Sequence, residues 1–253
     1  MNAPLPFLGV SCCRSRLGHS TIPLPMPTTS RSLLSIIPAK DIPRLAKSGE
    51  VILSKRYHKS SVLYEQILLS SRKDVVSDNL IELVHKMVKA FGMNRPSVQL
   101  KELKDFEKLV KKHADTIQSL AKYKLEKVKA TDDSFKETVV NLFDGLCLTG
   151  TDAPLVTFSK TMHFLLPNLF MPMDRKYTLQ FFSRSHLGSR ENQKRTFLQL
   201  FEQFRQFAHE HHTILKAQVD KNSCWNRNIP KVIDNIIIAH VTETMKPQNK
   251  AKQ

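Results

Sequence analysis

From about residue 60 onward, apolar residues return every three or four positions, the spacing of a helix with one buried face. Ser77 and Asp78 precede a stripe of Leu80, Leu83, Val84, Met87, Val88 and Phe91 that Gly92 closes, which predicts a capped helix. Pro96 and Ser97 open a long, polar-rich pattern with Leu100, Leu103, Phe106, Val110, Ile117, Leu120 and Tyr123 at spacings of three, four or seven, read as one helix. Asp132, Asp133 or Ser134 starts another, carrying Phe135, Val139, Val140, Leu142 and Phe143, and Gly145 to Pro154 reads as a loop. Short helices are predicted over 156–166 and from Asp174 to about Arg184. A long one follows Gly188 and Ser189, with Phe197, Leu200, Phe201, Phe204, Phe207 and Ala208 buried. The β-branched run Val232, Ile233, Ile236, Ile237, Ile238 and Val241 resembles a strand, but Pro230 at its head and Asp234-Asn235 inside it favour a buried helix to Met245.

Composition agrees with that pattern. Only 7 glycines in 253 residues, with 41% apolar and 25% charged positions, fit a helical globular body. No internal repeat is present, and the expected fold is all-α: a single multi-helix domain over 41–246, after a leader at 1–40 and before a tail at 247–253. The leader contains no acidic residue before Asp41, while Arg14, Arg16, Arg31 and Lys40 stand among many serines and threonines. That resembles an organelle transit peptide, a mitochondrial one for instance. Pro4, Pro6, Pro23, Pro25 and Pro27 would interrupt an amphipathic helix, so a plain disordered tail on a cytoplasmic or nuclear protein is the alternative.

Charge changes the picture further. The chain carries +16, and removing the four basic residues of the leader leaves +12 on the body. Such a balance favours polyanionic partners, with nucleic acid first among them. No stretch of about 18 apolar residues exists, so no membrane span is expected. The four cysteines, at 12, 13, 147 and 224, have no CxxC spacing, and His209-Glu210-His211-His212 lacks the four-residue histidine spacing of a zincin helix. No metal and no cofactor are therefore expected; the oligomeric state is left open.

The candidate chemistry lies between 154 and 182. Lys160 and His163 fall one helical turn apart; Pro167 then stops the helix, an apolar loop follows, and Asp174 stands at the head of the next helix. Ionisable groups bracketed by so much apolar sequence are paired or used. Asp174, Lys160 and His163 are the candidate catalytic residues; Asp174 as a helix cap and His163 as a core histidine are the structural alternatives. The candidate nucleic-acid contacts are Arg175, Lys176, Arg184, Arg190, Lys194 and Arg195, diluted only by Glu191, with Trp225 as a base-stacking platform. The lysines at 101, 104, 108, 111 and 112 interleave with Glu102, Asp105 and Glu107 and read as a solvated face.

The run Ser159-Lys160-x-x-His163-Phe164-Leu165-x-Pro167, continued by Pro172-x-Asp174-Arg175, resembles a motif of mostly microbial helical proteins without an assigned function. Trp225-Asn226 with Ile229-Pro230-Lys231-Val232-Ile233-Asp234-Asn235 resembles their C-terminal signature. More distantly, a helix carrying Lys and an apolar loop delivering one Asp to the next helix are similar to the helix-hairpin-helix DNA glycosylases. That resemblance implies that Asp174 stabilises a developing sugar cation and that Lys160 serves as a Schiff-base nucleophile, the amine adding to an electrophilic carbon. This chain differs in having no Gly-x-Gly hairpin in Ala153 to Phe158, a shorter Lys-to-Asp spacing of 14, and no iron–sulfur cysteine set. The expected function is a nucleic-acid-binding helical domain, in divergent glycosylase form. The alternative is a non-enzymatic structural or interaction protein.

Overall fold

The structure is a computed structural model that describes residues 32–150, 154–183 and 187–244. Most of the leader (1–31) and the tail from 245 lie outside the described residues. Among these residues the regular elements are helical, apart from one isolated antiparallel bridge between Leu100 and Thr149. The expected all-α fold is what the chain adopts. In order, the helices are α1 (Leu33–Ile36), α2 (Ile42–Arg56), α3 (His58–Ser71), α4 (Asp78–Val88), α5 (Leu103–Lys112), α6 (Ala114–Leu120), α7 (Asp133–Gly145), α8 (Pro154–Leu165), α9 (Arg190–Glu210), α10 (His212–Ala217) and α11 (Ile229–Thr244).

Several ends are set by the residues the sequence pointed to. Ser77 Oγ accepts the Leu80 amide at 3.4 Å, Asp132 accepts that of Phe135 at 2.9 Å, and Ser189 accepts that of Asn192 at 3.4 Å. Beyond α4 the chain makes a wide helical turn over Lys89–Met93, and Gly92 leaves it at φ +79°, a conformation that costs glycine nothing.

Three expectations are corrected. The single helix expected from Pro96 to Tyr123 is two, α5 and α6, separated at His113, whose backbone is not helical. It also begins late. The Lys101 amide donates to the Leu148 carbonyl at 3.0 Å and the Gly150 amide to the Gln99 carbonyl at 2.9 Å, so this stretch pairs with the loop after α7 instead of coiling. Second, the body starts before residue 41: Leu33 and Ile37 are fully buried, and the Leu33 amide donates to Gln203 on α9 at 3.2 Å. Third, α2 was not foreseen, although Pro43 in its first turn and Ile42, Leu45, Ala46, Gly49 and Leu53 on one face carry the signal.

Two helices form the inside. Every residue of α8 is buried, between α3, α4 and α9. The first two-thirds of α11 are buried as well, against α2 and α9. The α2–α11 contact is backbone-close: a Cβ placed on Gly49 would lie 2.0 Å from the Asn235 carbonyl oxygen. Neither helix can move without dragging its polar attachments, because Ala46 on α2 accepts Asn226 Nδ2 at 3.4 Å and Glu50 accepts it at 2.9 Å.

Gly49→Ala should therefore push the two helices apart and cost about 3 kcal/mol, the upper end for overpacking. A thermal melt should show a drop of roughly 10 °C. An unchanged melt would mean that α2 and α11 do not approach this closely.

Candidate active site

The chain's route from α8 to Asp174 is fixed by two side chains of α8 itself. Ser159 Oγ accepts the Met173 amide at 3.1 Å, and His163 Nδ1 donates to the Phe170 carbonyl at 2.7 Å. They lie one turn apart on the helix, so they staple the returning loop along it at two points. The loop is apolar because it is buried: Leu169, Phe170, Met171 and Met173 are all within 1% of full burial. Asp174 emerges beside Lys160 as a result. Its carboxylate accepts the Tyr177 amide at 2.7 Å and caps the wide turn Arg175–Leu179, with its own amide donating to Thr178 Oγ1 at 3.2 Å.

Lys160 and Asp174 line one surface cleft of about 610 Å³. Its other charged residues are Arg56, Arg95, Arg175 and Lys176, and Asp174 is the one carboxylate among the described residues lining it. Such a volume is that of a small-molecule or nucleotide site. Tyr57 and Phe91 stack at 4.6 Å across its floor. Arg56 lies 5.1 Å from the Tyr57 ring centroid and donates to the Tyr177 hydroxyl at 2.9 Å. A second, smaller chamber of about 20 Å³ adjoins the cleft; it shares Tyr57, Phe91, Lys160 and Asp174 with it and adds His163, Trp225, Lys231 and Asp234.

The electrostatics of this double site follow from burial. Lys160 is 5% exposed; its ammonium donates to the Phe91 carbonyl at 3.4 Å and lies 5.5 Å from the Phe91 ring centroid. Desolvation holds its pKa below the ordinary lysine value, opposed by Asp174 and Asp234 and reinforced by Lys231 and Arg95. Lys231 and Asp234 are an ion pair one turn apart on α11, with both side chains buried. Burial raises the Asp234 pKa, chiefly against the pull of Lys231, while Asp174 adds to the rise. Lys231 also lies 5.4 Å from the Trp225 ring centroid. An amine whose charged form is disfavoured by burial, set beside carboxylates, is suited to act as nucleophile or base.

His163 occupies a different kind of place. A carbonyl only accepts, so Nδ1 carries the proton, and Nε2 accepts from the Tyr64 hydroxyl at 3.1 Å. Asn228 Nδ2 donates to that same hydroxyl at 3.1 Å, while Asn228 Oδ1 caps α11 by accepting the Lys231 amide at 2.9 Å. Both ring nitrogens are committed, and the ring is fully buried. Its role here is to connect α3, α8, the loop and α11.

The remaining sequence candidates are distributed. Arg175 and Lys176 are exposed on the cleft. Arg184 lies outside the described residues. Arg190 donates to the Phe143 and Asp144 carbonyls at 2.8 and 3.2 Å, which satisfies the last turn of α7. Lys194 pairs with Asp144 at 2.9 Å and Glu191 at 2.8 Å, and Arg195 donates to Asn192 at 2.7 Å. These three do not line the cleft. Trp225 is wholly buried, stacked on Tyr64 at 5.3 Å, and so forms a chamber wall rather than a surface platform. Arg56, Arg95, Tyr57 and Phe91 carried no motif and were missed. Lys231 and Asp234 did carry one: a charged pair three apart inside an apolar helix. Among the described residues there is no cluster of three metal-capable side chains. His211 packs edge-on against Phe207 at 4.8 Å.

No protein-family model, no curated protein and no solved structure matches this chain.

His163 generates a prediction about acid stability. Its ordinary pKa is 6.5, and burial first, then Lys231, lower it to about 3 in the fold, against the Phe170 carbonyl bond. Below 6.5 the unfolded chain takes up a proton that the folded one refuses, so this contribution is present above pH 6.5 and is lost as pH falls toward 3. The slope should approach about 1.4 kcal/mol per pH unit. His85, His113 and His240 are also lowered by burial, so the comparison has to be made with a variant. In urea titrations at pH 7 and 4.5, His163→Gln should lose stability at pH 7 yet show a shallower acid decline than wild type. An unchanged slope would assign the acid sensitivity elsewhere.

Proposed function

We propose that this protein binds nucleic acid through the cleft and acts on it with Lys160 and Asp174, as a divergent relative of the helix-hairpin-helix glycosylases would. One observation carries the reading. Two residues 14 apart in sequence converge at the floor of a cleft whose other charged lining residues, Arg56, Arg95, Arg175 and Lys176, are all cations. A ring of guanidinium and ammonium groups holds phosphates and releases their counterions. With a nucleotide so placed, the breaking sugar–base bond leaves its electron pair with the base. Asp174 stabilises the cation that develops on the sugar, and the Lys160 amine adds to that carbon, forming a C–N bond as a proton of the amine passes to the departing base.

A second reading has its own support. The Asp174 carboxylate already caps the Arg175–Leu179 turn, and Lys160 already bonds to a backbone carbonyl, as they would in a non-enzymatic interaction protein whose motif only locks helices together.

Two measurements separate these readings. In a salt series on duplex DNA and on single-stranded DNA and RNA, the log–log slope should fall by about 0.9 on the duplex for each rim cation replaced by Ala that contacts a phosphate. A flat plot with the wild-type protein would remove nucleic acid as the ligand. Asp174→Asn should melt near wild type, since Asn caps nearly as well as Asp, whereas loss of a cap costs about 1 kcal/mol. It should nevertheless abolish base release from an oligonucleotide panel, as should Lys160→Ala. A drop of several degrees for Asp174→Asn would favour the interaction-protein reading.

A further inference from the structure

The chamber behind the cleft has features that its role as packing does not require. Its side chains include a fully buried ion pair, Lys231–Asp234, placed on α11 outside the Lys160–Asp174 motif. Replacing such a pair by apolar residues is often neutral or stabilising, so packing alone does not call for it. Trp225 is wholly buried, and its indole N–H has no hydrogen-bond partner among the described residues, a group that normally finds one. Tyr57 and Phe91, stacked on each other, line both the chamber and the cleft, and Lys160 donates to the Phe91 carbonyl at 3.4 Å. Phe91 is half-buried and sits directly before Gly92, whose φ is +79° and around whose missing Cβ no heavy atom lies within 4 Å. The turn carrying Phe91 therefore has a permissive backbone joint and open space beside it.

Resting on the nucleic-acid reading of the rim, we infer that the chamber is the inner half of the ligand site. Phe91 swings aside at Gly92, and a flat heterocycle enters between the aromatic walls, where Lys231, Asp234 and the Trp225 N–H read its edge. The chemistry selects that class of group. Aromatic faces of Tyr57, Phe91 and Trp225 favour a planar ring, and a cation next to a carboxylate next to an N–H matches an edge with alternating acceptors and donors. The rim cations place a phosphate outside, so the ligand's minimal form is a heterocycle and a phosphate joined by a sugar-sized spacer. At about 20 Å³ the chamber has room for little more than a water, so entry of a ring requires the Phe91 movement.

Trp225 is the chain's only tryptophan, so its fluorescence reports on the chamber and nothing else. The experiment titrates the full chain with the four common nucleoside monophosphates, with ribose 5-phosphate and with inorganic phosphate, excited on the red edge of the indole band. A labelled oligonucleotide is followed in parallel by anisotropy. At least one nucleotide should quench Trp225 saturably, with an apparent Kd about tenfold below that of ribose 5-phosphate, the gain from stacking one ring. If ribose 5-phosphate or phosphate matches every nucleotide, or if no probe moves Trp225, the chamber takes no ring and the inference is overturned. Oligonucleotide binding without any change at Trp225 overturns it too, while leaving the nucleic-acid reading intact. Nucleotide quenching without oligonucleotide binding does the reverse. Because a single substitution would orphan a buried charge, the reading pair is tested in the double variant Lys231→Leu with Asp234→Leu. That variant, first checked for a cooperative thermal melt, should lose preference among the four nucleotides. An unchanged preference would show that Lys231 and Asp234 do not read the ring.

Discussion

Two lysines and an aspartate are taken almost wholly out of water at one place in this helical body, and the surrounding structure has to compensate for that. Lys160 and Lys231 keep 5% and 3% of their exposure and Asp234 keeps 6%. An isolated buried ion would shift its pKa and neutralise; paired, it can stay charged only in tight geometry. The salt bridge between Lys231 and Asp234 meets that demand on α11. Among the described residues Lys160 has no such close partner. It relies on the Phe91 carbonyl, the Phe91 ring and the field of Asp174 and Asp234, while burial holds its pKa below the ordinary lysine value.

Much of the polar scaffolding around these groups can be understood as support for that placement. The α2–α11 approach at Gly49 brings Glu50 to Ser223 and Asn226, and Asn235 donates to Asn226 at 2.7 Å, so the segment before α11 is tied down on both sides. From Asn228 the chain of bonds continues through Tyr64 and His163 to the Phe170 carbonyl. One end of this belt caps the helix that carries Lys231 and Asp234. The other end fixes the loop that delivers Asp174. A buried network of this kind confers rigidity, and a site working by electrostatics needs that rigidity.

The excess positive charge divides into two populations with different physics. Arg190 and Lys194 are engaged with the C-terminal turn of α7, where cations complement the unpaired carbonyls and the helix dipole. Arg175 and Lys176 are exposed beside Lys160, joined there by Arg56 and Arg95 from two other parts of the chain. Of these two groups, it is the second that lines the cleft. A raw net charge of +16 cannot make that distinction, because it counts a helix-capping arginine and a ligand-facing one alike.

What the sequence determined by itself was periodic or local. The apolar stripes of α4, α7, α9 and α11 and the caps at Ser77, Asp132 and Ser189 are readable because each depends on residues within one or two turns. The block holding Lys160, His163 and Asp174 was also legible, since polar groups in apolar sequence stand out. Local pattern failed where distant contacts won: the late start of α5 follows from the pairing of residues 99–101 with 148–150, some fifty positions away, and the break falls at His113, whose ring packs against Gly145. Tertiary structure alone decided that His163 is a connector and that Trp225 is a chamber wall. It also brought Arg56, Tyr57, Phe91 and Arg95, which belong to no motif, into the lining of the cleft. The reason is physical. A side chain's chemistry is written in its type, whereas its partners, burial and field depend on which surfaces the packing of α2, α8 and α11 brings face to face.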